Sequence, residues 1–292
     1  MSKILAHSVA YARIRAQRLE ESARFAANFA GLELAETTST ERGFRTDARR
    51  RSIMFFCDDA EDSSIGIELA DDESFSQAST RLEAQGFETS EGSNSECNRR
   101  LVGRLLKTRD VSGNRIELVI RQECSARRFS PGEAGIVGLQ GVGMRSVDLE
   151  GDLRFWTKAI GARISDRVGD ITYLGLDARH HRIALYPSRR KGIFNLALEV
   201  ESEDLVMQNA YRLQGRQVRL AQGPGREPAS GQTFLHFKGP DDILFSYVSG
   251  MRLFEEPYPR PRQFARSDES LCLWGSVCKE IPELRADAKV GN

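Results

Sequence analysis

Residues 191–202 read Lys-Gly-Ile-Phe-Asn-Leu-Ala-Leu-Glu-Val-Glu-Ser. Side chains alternate along an extended backbone, so Ile193, Asn195, Ala197 and Glu199 share one side, with Phe194, Leu196, Leu198 and Val200 on the other. The stretch predicts a largely buried strand. Asn195 sits in its middle among apolar neighbours, and a buried amide there needs hydrogen-bond partners. Much of what the protein does depends on what Asn195 faces.

Working outward, the strand falls inside a recurring order of elements. Before it come a strand at Val142–Val147, a helix at Leu149–Ile160 closed by Gly161, and strands at Ile171–Leu176 and Arg182–Tyr186. After it come a helix at Glu203–Gln214, a strand at Thr233–Phe237, a Gly239-Pro240-Asp241-Asp242 turn and a strand at Ile243–Val248. The first half follows the same plan. A strand spans 4–16, a helix Leu19–Phe29 is closed by Gly31, and a strand begins at Leu32. Strands at Arg51–Cys57 and Ile65–Leu69, a helix at Ser74–Gln85 and strands at Arg104–Thr108 and Arg115–Ile120 complete it.

The halves superimpose at an offset of about 130 residues, which indicates internal duplication. Leu19-Glu20 matches Leu149-Glu150, Arg24-Phe25 matches Arg154-Phe155, Gly31 matches Gly161, and Arg81-Leu82 matches Arg212-Leu213. The expected fold class is α+β, four βαβββ modules paired into two domains, 1–121 and 138–250. Residues 122–137 read as a linker. Residues 251–292 form an extension carrying Pro257, Pro259 and Pro261, with a docking apolar segment at 270–276 and a frayed end from 279.

Lys plus Arg equals Asp plus Glu at 42 each, so the formal net charge is zero. No nucleic-acid or membrane partner is expected, because both kinds of binder usually carry a basic excess. Near-neutrality permits self-association, and a homo-oligomer is expected. The five cysteines form no CxxC pair and read as reduced thiols of a cytoplasmic protein. No signal peptide or membrane span is apparent.

Several strings in this order resemble the type I extradiol catechol dioxygenases of the vicinal oxygen chelate superfamily. They are Tyr11-Ala-Arg-Ile, Gly138-Leu139-Gln140-Gly141 before Val147-Asp148-Leu149, Arg179-His180-His181, Ile193-Phe194-Asn195 running into Leu198-Glu199-Val200, and Ser270-Leu-Cys-Leu-Trp-Gly-Ser276. The resemblance implies a structural N-terminal domain and a C-terminal barrel around one ferrous ion, held by two histidines and a glutamate. Carried over residue by residue, those ligand positions fall on Gly141, Asn195 and Ser246. Glycine offers no donor, and Asn and Ser are neutral oxygens with little affinity for Fe(II). The first-half counterpart of Ser246 is Glu117.

The resemblance also maps a pocket histidine to His181, a second pocket position to Glu227 and a substrate-facing position to His236. The expectation is a divergent homologue with no metal or other cofactor. It would bind a small aromatic or phenolic molecule in an aromatic-sized pocket lined by Gly141, Asn195, Glu227 and Ser246. His181 and His236 are the candidate acid or base for isomerisation, hydration or cyclisation. Three alternatives stay open. One is a non-catalytic binding protein or inactive partner subunit. Another is a shifted metal site built from His181, His236 and Glu227, suited to Fe(II), Mn(II) or Zn(II). The last is ordinary iron-dependent ring cleavage. Taken alone, Glu227 reads as a solvated loop charge, Arg49-Arg50-Arg51 as solvated loop residues, and Trp156 and Trp274 as packing residues.

Overall fold

A computed structural model describes residues 6–58 and 62–287. The first half runs β1 (Ala6–Arg15), α1 (Leu19–Asn28), β2 (Glu33–Thr37), β3 (Glu41–Arg45), β4 (Ile53–Phe56), β5 (Ser64–Leu69), α2 (Asp72–Ala84), β6 (Ser90–Glu91), α3 (Asn94–Arg100), β7 (Arg104–Arg109) and β8 (Arg115–Ile120). The second half runs β9 (Ile136–Ser146), α4 (Leu149–Arg154), β10 (Arg163–Val168), β11 (Ile171–Gly175), β12 (Ile183–Pro187), β13 (Gly192–Val200), α5 (Glu203–Gly215), β14 (Leu220–Arg226), β15 (Thr233–Lys238) and β16 (Leu244–Ser249). A short β17 (Arg262–Phe264) and α6 (Asp268–Leu271) follow.

The strands form an eight-stranded sheet ordered β2-β3-β4-β1-β5-β8-β7-β6 and a nine-stranded sheet ordered β14-β15-β16-β13-β9-β12-β11-β10-β17. Read in opposite directions the two orders are the same, with β17 added on one edge. The fold is therefore of the expected α+β class, with a duplicated architecture. The duplication holds at the level of register. Tyr11 pairs with Gly66, which pairs with Glu117; Gly141 pairs with Ala197, which pairs with Ser246. In the same way Lys107 faces Glu117 and His236 faces Ser246. Equivalent helices also start alike. Asp71 accepts from Ser74 N, and Ser202 accepts from Leu205 N, each satisfying one free amide of the first turn.

One apolar core runs through both halves. Phe25 of α1 packs on Phe237 and Phe245 of the second sheet, and Phe87 meets Phe155 edge-on. Beyond Gly250 the chain wraps the second sheet. Cys272 joins Ala197, Phe234 and Val248, while Cys278, Ile281 and Leu284 join Tyr173, Ala184, Tyr186 and Phe194. Buried Arg145 of β9 binds Glu283 through Nε at 2.9 Å and ties this cap down.

Several local expectations need correction. The helix at 149–160 is α-helical only to Arg154 and continues as a π turn over Phe155–Ile160. Strands β3, β10 and β14 and helix α3 were not anticipated. Arg51 is buried because Glu36 and Glu41 pair with it, so it is no loop charge. Trp156 packs as expected, but Trp274 is half exposed because Cys272 is the residue of that segment that turns inward. Residues 279–287 are held by Glu283, Ile281 and Leu284 rather than frayed. Residues 288–292, and residues 4–5 of the first predicted strand, lie outside the described residues.

Candidate functional site

The second sheet curls around a small polar cavity. Gln140, Gly141 and Gly143 of β9, Asn195 and Ala197 of β13, His236 of β15 and Ser246 of β16 supply its floor. His181, Tyr186, Glu227, Gln232 and Phe234 close its sides. All six candidate residues, Gly141, His181, Asn195, Glu227, His236 and Ser246, therefore meet in one place. The alternation of β13 puts Asn195 and Ala197 on the cavity side, as the opening stretch predicted.

At the floor, three side chains form a chain of hydrogen bonds. Asn195 Nδ2 donates to Ser246 Oγ at 2.5 Å, and Ser246 Oγ shares a proton with His236 Nδ1 at 2.5 Å. This gives the NH2 end of the buried amide a partner. Phe234 stacks on the His236 ring at 4.5 Å. Burial alone pushes the His236 imidazole down to about 3, so the ring is neutral near pH 7. Gly141 lies beneath the backbone of Arg182. A Cβ at 141 would stand 2.6 Å from the Arg182 carbonyl oxygen, a position that chain geometry reserves for glycine.

On the wall, His181 Nδ1 and His180 Nδ1 are 3.0 Å apart, and His180 Nε2 lies 2.9 Å from Asp166 Oδ2. Burial, followed by the neighbouring His180 and Arg182, holds His181 well below the ordinary histidine range. Burial pushes Asp166 up, but bonds from His180 and Arg262 outweigh it and keep this carboxylate below its usual range.

Glu227 is not a solvated charge. It directly follows β14, is buried, and accepts from Tyr173 Oη at 2.6 Å, from Gln232 Nε2 at 3.3 Å and from Ser230 Oγ. Burial and then the Glu227 charge raise Tyr173 well above its ordinary value, so it stays a phenol that donates to the carboxylate. Glu227 lines the same cavity as His181 and His236, with its oxygens already accepting from three donors. Among the described residues no group of three His, Cys, Asp or Glu side chains is placed to hold a metal ion. The shifted metal set expected as an alternative is thus not assembled.

The cavity is also smaller than expected. Its volume is about 30 Å³, room for one or two water molecules but well short of the roughly 150 Å³ that accepts benzene. Tyr186 and Phe234 take up the space, and Cys272 and Ile281 of the cap back the surrounding apolar shell. Sequence reasoning missed Asp166, Tyr173, His180 and Gln232. The adjacent histidines were visible, but Asp166 lies in β10, an element the sequence pattern did not reveal.

The family model for the Glyoxalase/Bleomycin resistance protein/Dioxygenase superfamily matches residues 138–247, the span that builds this cavity. Residues 138–247 therefore form a domain of that superfamily. Relatives similar to the chain include extradiol dioxygenases. An iron-dependent extradiol dioxygenase of Rhodococcus jostii (strain RHA1) is 26% identical over 92% of this chain and 96% of its own length. A 3-methylcatechol 2,3-dioxygenase of Pseudomonas putida strain F1 is 30% identical over 55% of this chain and 61% of its own. Among solved structures, BphC, a halotolerant catechol dioxygenase, superimposes with a TM-score of 0.84 at 21% identity, covering 98% of each chain. For residues 6–58 and 62–287, no helix is long and apolar enough to cross a membrane.

Proposed function

We propose that this superfamily member is an iron-independent relative of the extradiol dioxygenases that binds a small phenolic molecule in its second barrel. The observation that carries the reading is the Asn195–Ser246–His236 hydrogen-bond chain, seated where the resemblance puts two of the three iron ligands. These donors do not fit a ferrous ion. Gly141 has no room for any side chain, and Asn195 and Ser246 are neutral, with Ser246 Oγ engaged by Asn195 Nδ2 and His236 Nδ1. A neutral His236 and a neutral His181 instead suit hydrogen bonding to a hydroxyl, with His181 as the base if a proton is taken. The phenolic class follows from the catechol-type substrates named for the relatives. Admitting a ring requires the cap at 265–285 to shift, because Cys272 and Ile281 pack directly on residues that line the cavity.

The test uses full-length protein purified without chelator. Metal analysis is expected to give far less than one iron per chain, with no cleavage of catechol. Titrating phenol or catechol is expected to move the His181 and His236 ring signals in NMR. Stoichiometric iron together with catechol cleaved to a yellow product overturns the reading. The size of the cavity favours a second reading, a non-catalytic subunit that pairs with an active relative. Ring signals that ignore every phenol would support that second reading over the first.

A further inference from the structure

The cavity wall contains an ordered line of groups that no ligand position of the resemblance accounts for. It runs from the cavity outward as His181, His180, Asp166 and Arg262. His180 and Asp166 are fully buried, while the Arg262 side chain reaches half into solvent. Arg262 grips Asp166 with its own backbone N at 2.6 Å and with Nη2 at 2.5 Å. The same guanidinium donates to Ala229 O at 2.6 Å, which anchors it.

Hydrogen-bond roles constrain the protons along this line. An ionised carboxylate only accepts hydrogen bonds, so His180 Nε2 carries the proton that goes to Asp166. When that is the only proton on the His180 ring, its Nδ1 can only accept, and the proton between the two imidazoles sits on His181 Nδ1. The remaining nitrogen of His181, Nε2, is left with a lone pair. The ring's hydrogen bond among the described residues is made through Nδ1, and His181 lines the cavity. The logic is that of a carboxylate orienting an imidazole, extended by one further ring.

We propose that Asp166 and His180 are positioning residues that lock His181 as its Nδ1-protonated tautomer and present its bare Nε2 to the cavity. The ligand class this selects is a hydrogen-bond donor, a hydroxyl rather than a carbonyl, which rests on the phenol-binding reading above. The backbone supports the arrangement independently of any ligand. His180 N donates to Arg252 O at 3.0 Å, and Gln140 Nε2 donates to His181 O at 2.8 Å, so both rings are carried on pinned peptides.

The experiment is nitrogen-15 NMR of ring-labelled histidine in the ligand-free, full-length protein. His181 is expected to show the Nδ1-protonated pattern and His180 the Nε2-protonated one. In Asp166→Asn the amide can donate to His180 Nε2, and both rings are expected to exchange tautomers together. Arg262→Gln leaves the carboxylate in place and should leave the wild-type pattern intact. An Nε2-protonated His181 in the wild type overturns the proposal, even if Asp166→Asn fails to fold. So does a folded Asp166→Asn protein whose His181 pattern is unchanged. Phenol binding does not enter these signals, so its failure sinks only the functional reading.

Discussion

The two barrels place different chemistry on the same register. In the first, Glu117 stands where Ser246 stands in the second, and Tyr11 stands where Gly141 stands. Glu117 takes a two-pronged grip from Arg100 at 2.7 Å and 2.7 Å, a bond from Tyr11 Oη at 2.5 Å and an ion pair with Arg115 at 3.1 Å. Arg100 and Glu117 have no exposed surface. The second barrel replaces this charged plug with a neutral chain, Asn195–Ser246–His236, beside a water-sized void. One scaffold position can thus be satisfied by a buried ion pair or by neutral hydrogen bonds. The two solutions differ in what they cost to break.

The largest effect is expected at Glu117. Replacing it with Ala leaves Arg100 buried without a carboxylate, which typically costs about 3–5 kcal/mol. Urea unfolding of Glu117→Ala should therefore show a much lower midpoint. A change under about 1 kcal/mol would mean that water reaches the plug and that the contrast between the barrels is overstated.

Acid should separate the barrels next. His236 has a folded value of about 3, below the ordinary histidine value near 6.5 that applies to the unfolded chain. The unfolded chain therefore binds more protons between those values. Its stability contribution is complete above about pH 6.5 and falls by roughly 1.4 kcal/mol for each pH unit below that. His181, also depressed, adds in the same direction. Burial pushes Glu117 up, but bonds from Arg100 outweigh it and hold the carboxylate below its ordinary value, so its contribution is lost only on further acidification. Asp110, which burial and the Asp152 charge raise to about 7, works the other way over the same range, so the readout is the difference between His236→Gln and the wild type. That difference should narrow as pH falls from 7 to 4, and a constant difference down to pH 5 would remove the buried neutral His236 from the account.

Most of the frame was legible because duplication leaves paired marks. Glycines close equivalent helices at Gly31 and Gly161, and apolar alternation marks β5, β8, β13 and β16. The clustering of Gly141, Asn195, His236 and Ser246 followed instead from the resemblance to the extradiol dioxygenases. What stayed hidden was set by tertiary contact. Glu227 looked like a loop charge because Gly223, Pro224 and Gly225 precede it. Yet β14 is an irregular edge strand whose register shifts admit such residues, and its end turns the carboxylate inward to Tyr173. Helix α3 carried a visible capping box at Ser93 and Glu96 but too few apolar residues to show a helical period. The size of the cavity depends on how Tyr186, Phe234 and the cap pack, and no spacing in the chain encodes that.

The smallest effect is expected at Ser246, and it is the sharpest probe of the comparison because the position matches Glu117. Ser246→Ala removes the acceptor of Asn195 Nδ2 and the partner of His236 Nδ1. A buried polar group left unpaired usually costs about 1–3 kcal/mol. Here the cavity of about 30 Å³ adjoins both groups and can lend them a water, so the loss should sit near the lower end, about 1 kcal/mol. The ratio of the two alanine effects is then the measurable quantity, several-fold larger at 117 than at 246. Equal losses would show that the neutral chain is as tightly bound into its barrel as the ion pair. In that case the second barrel would be a sealed core that merely copies the first, with no site left for a ligand to enter.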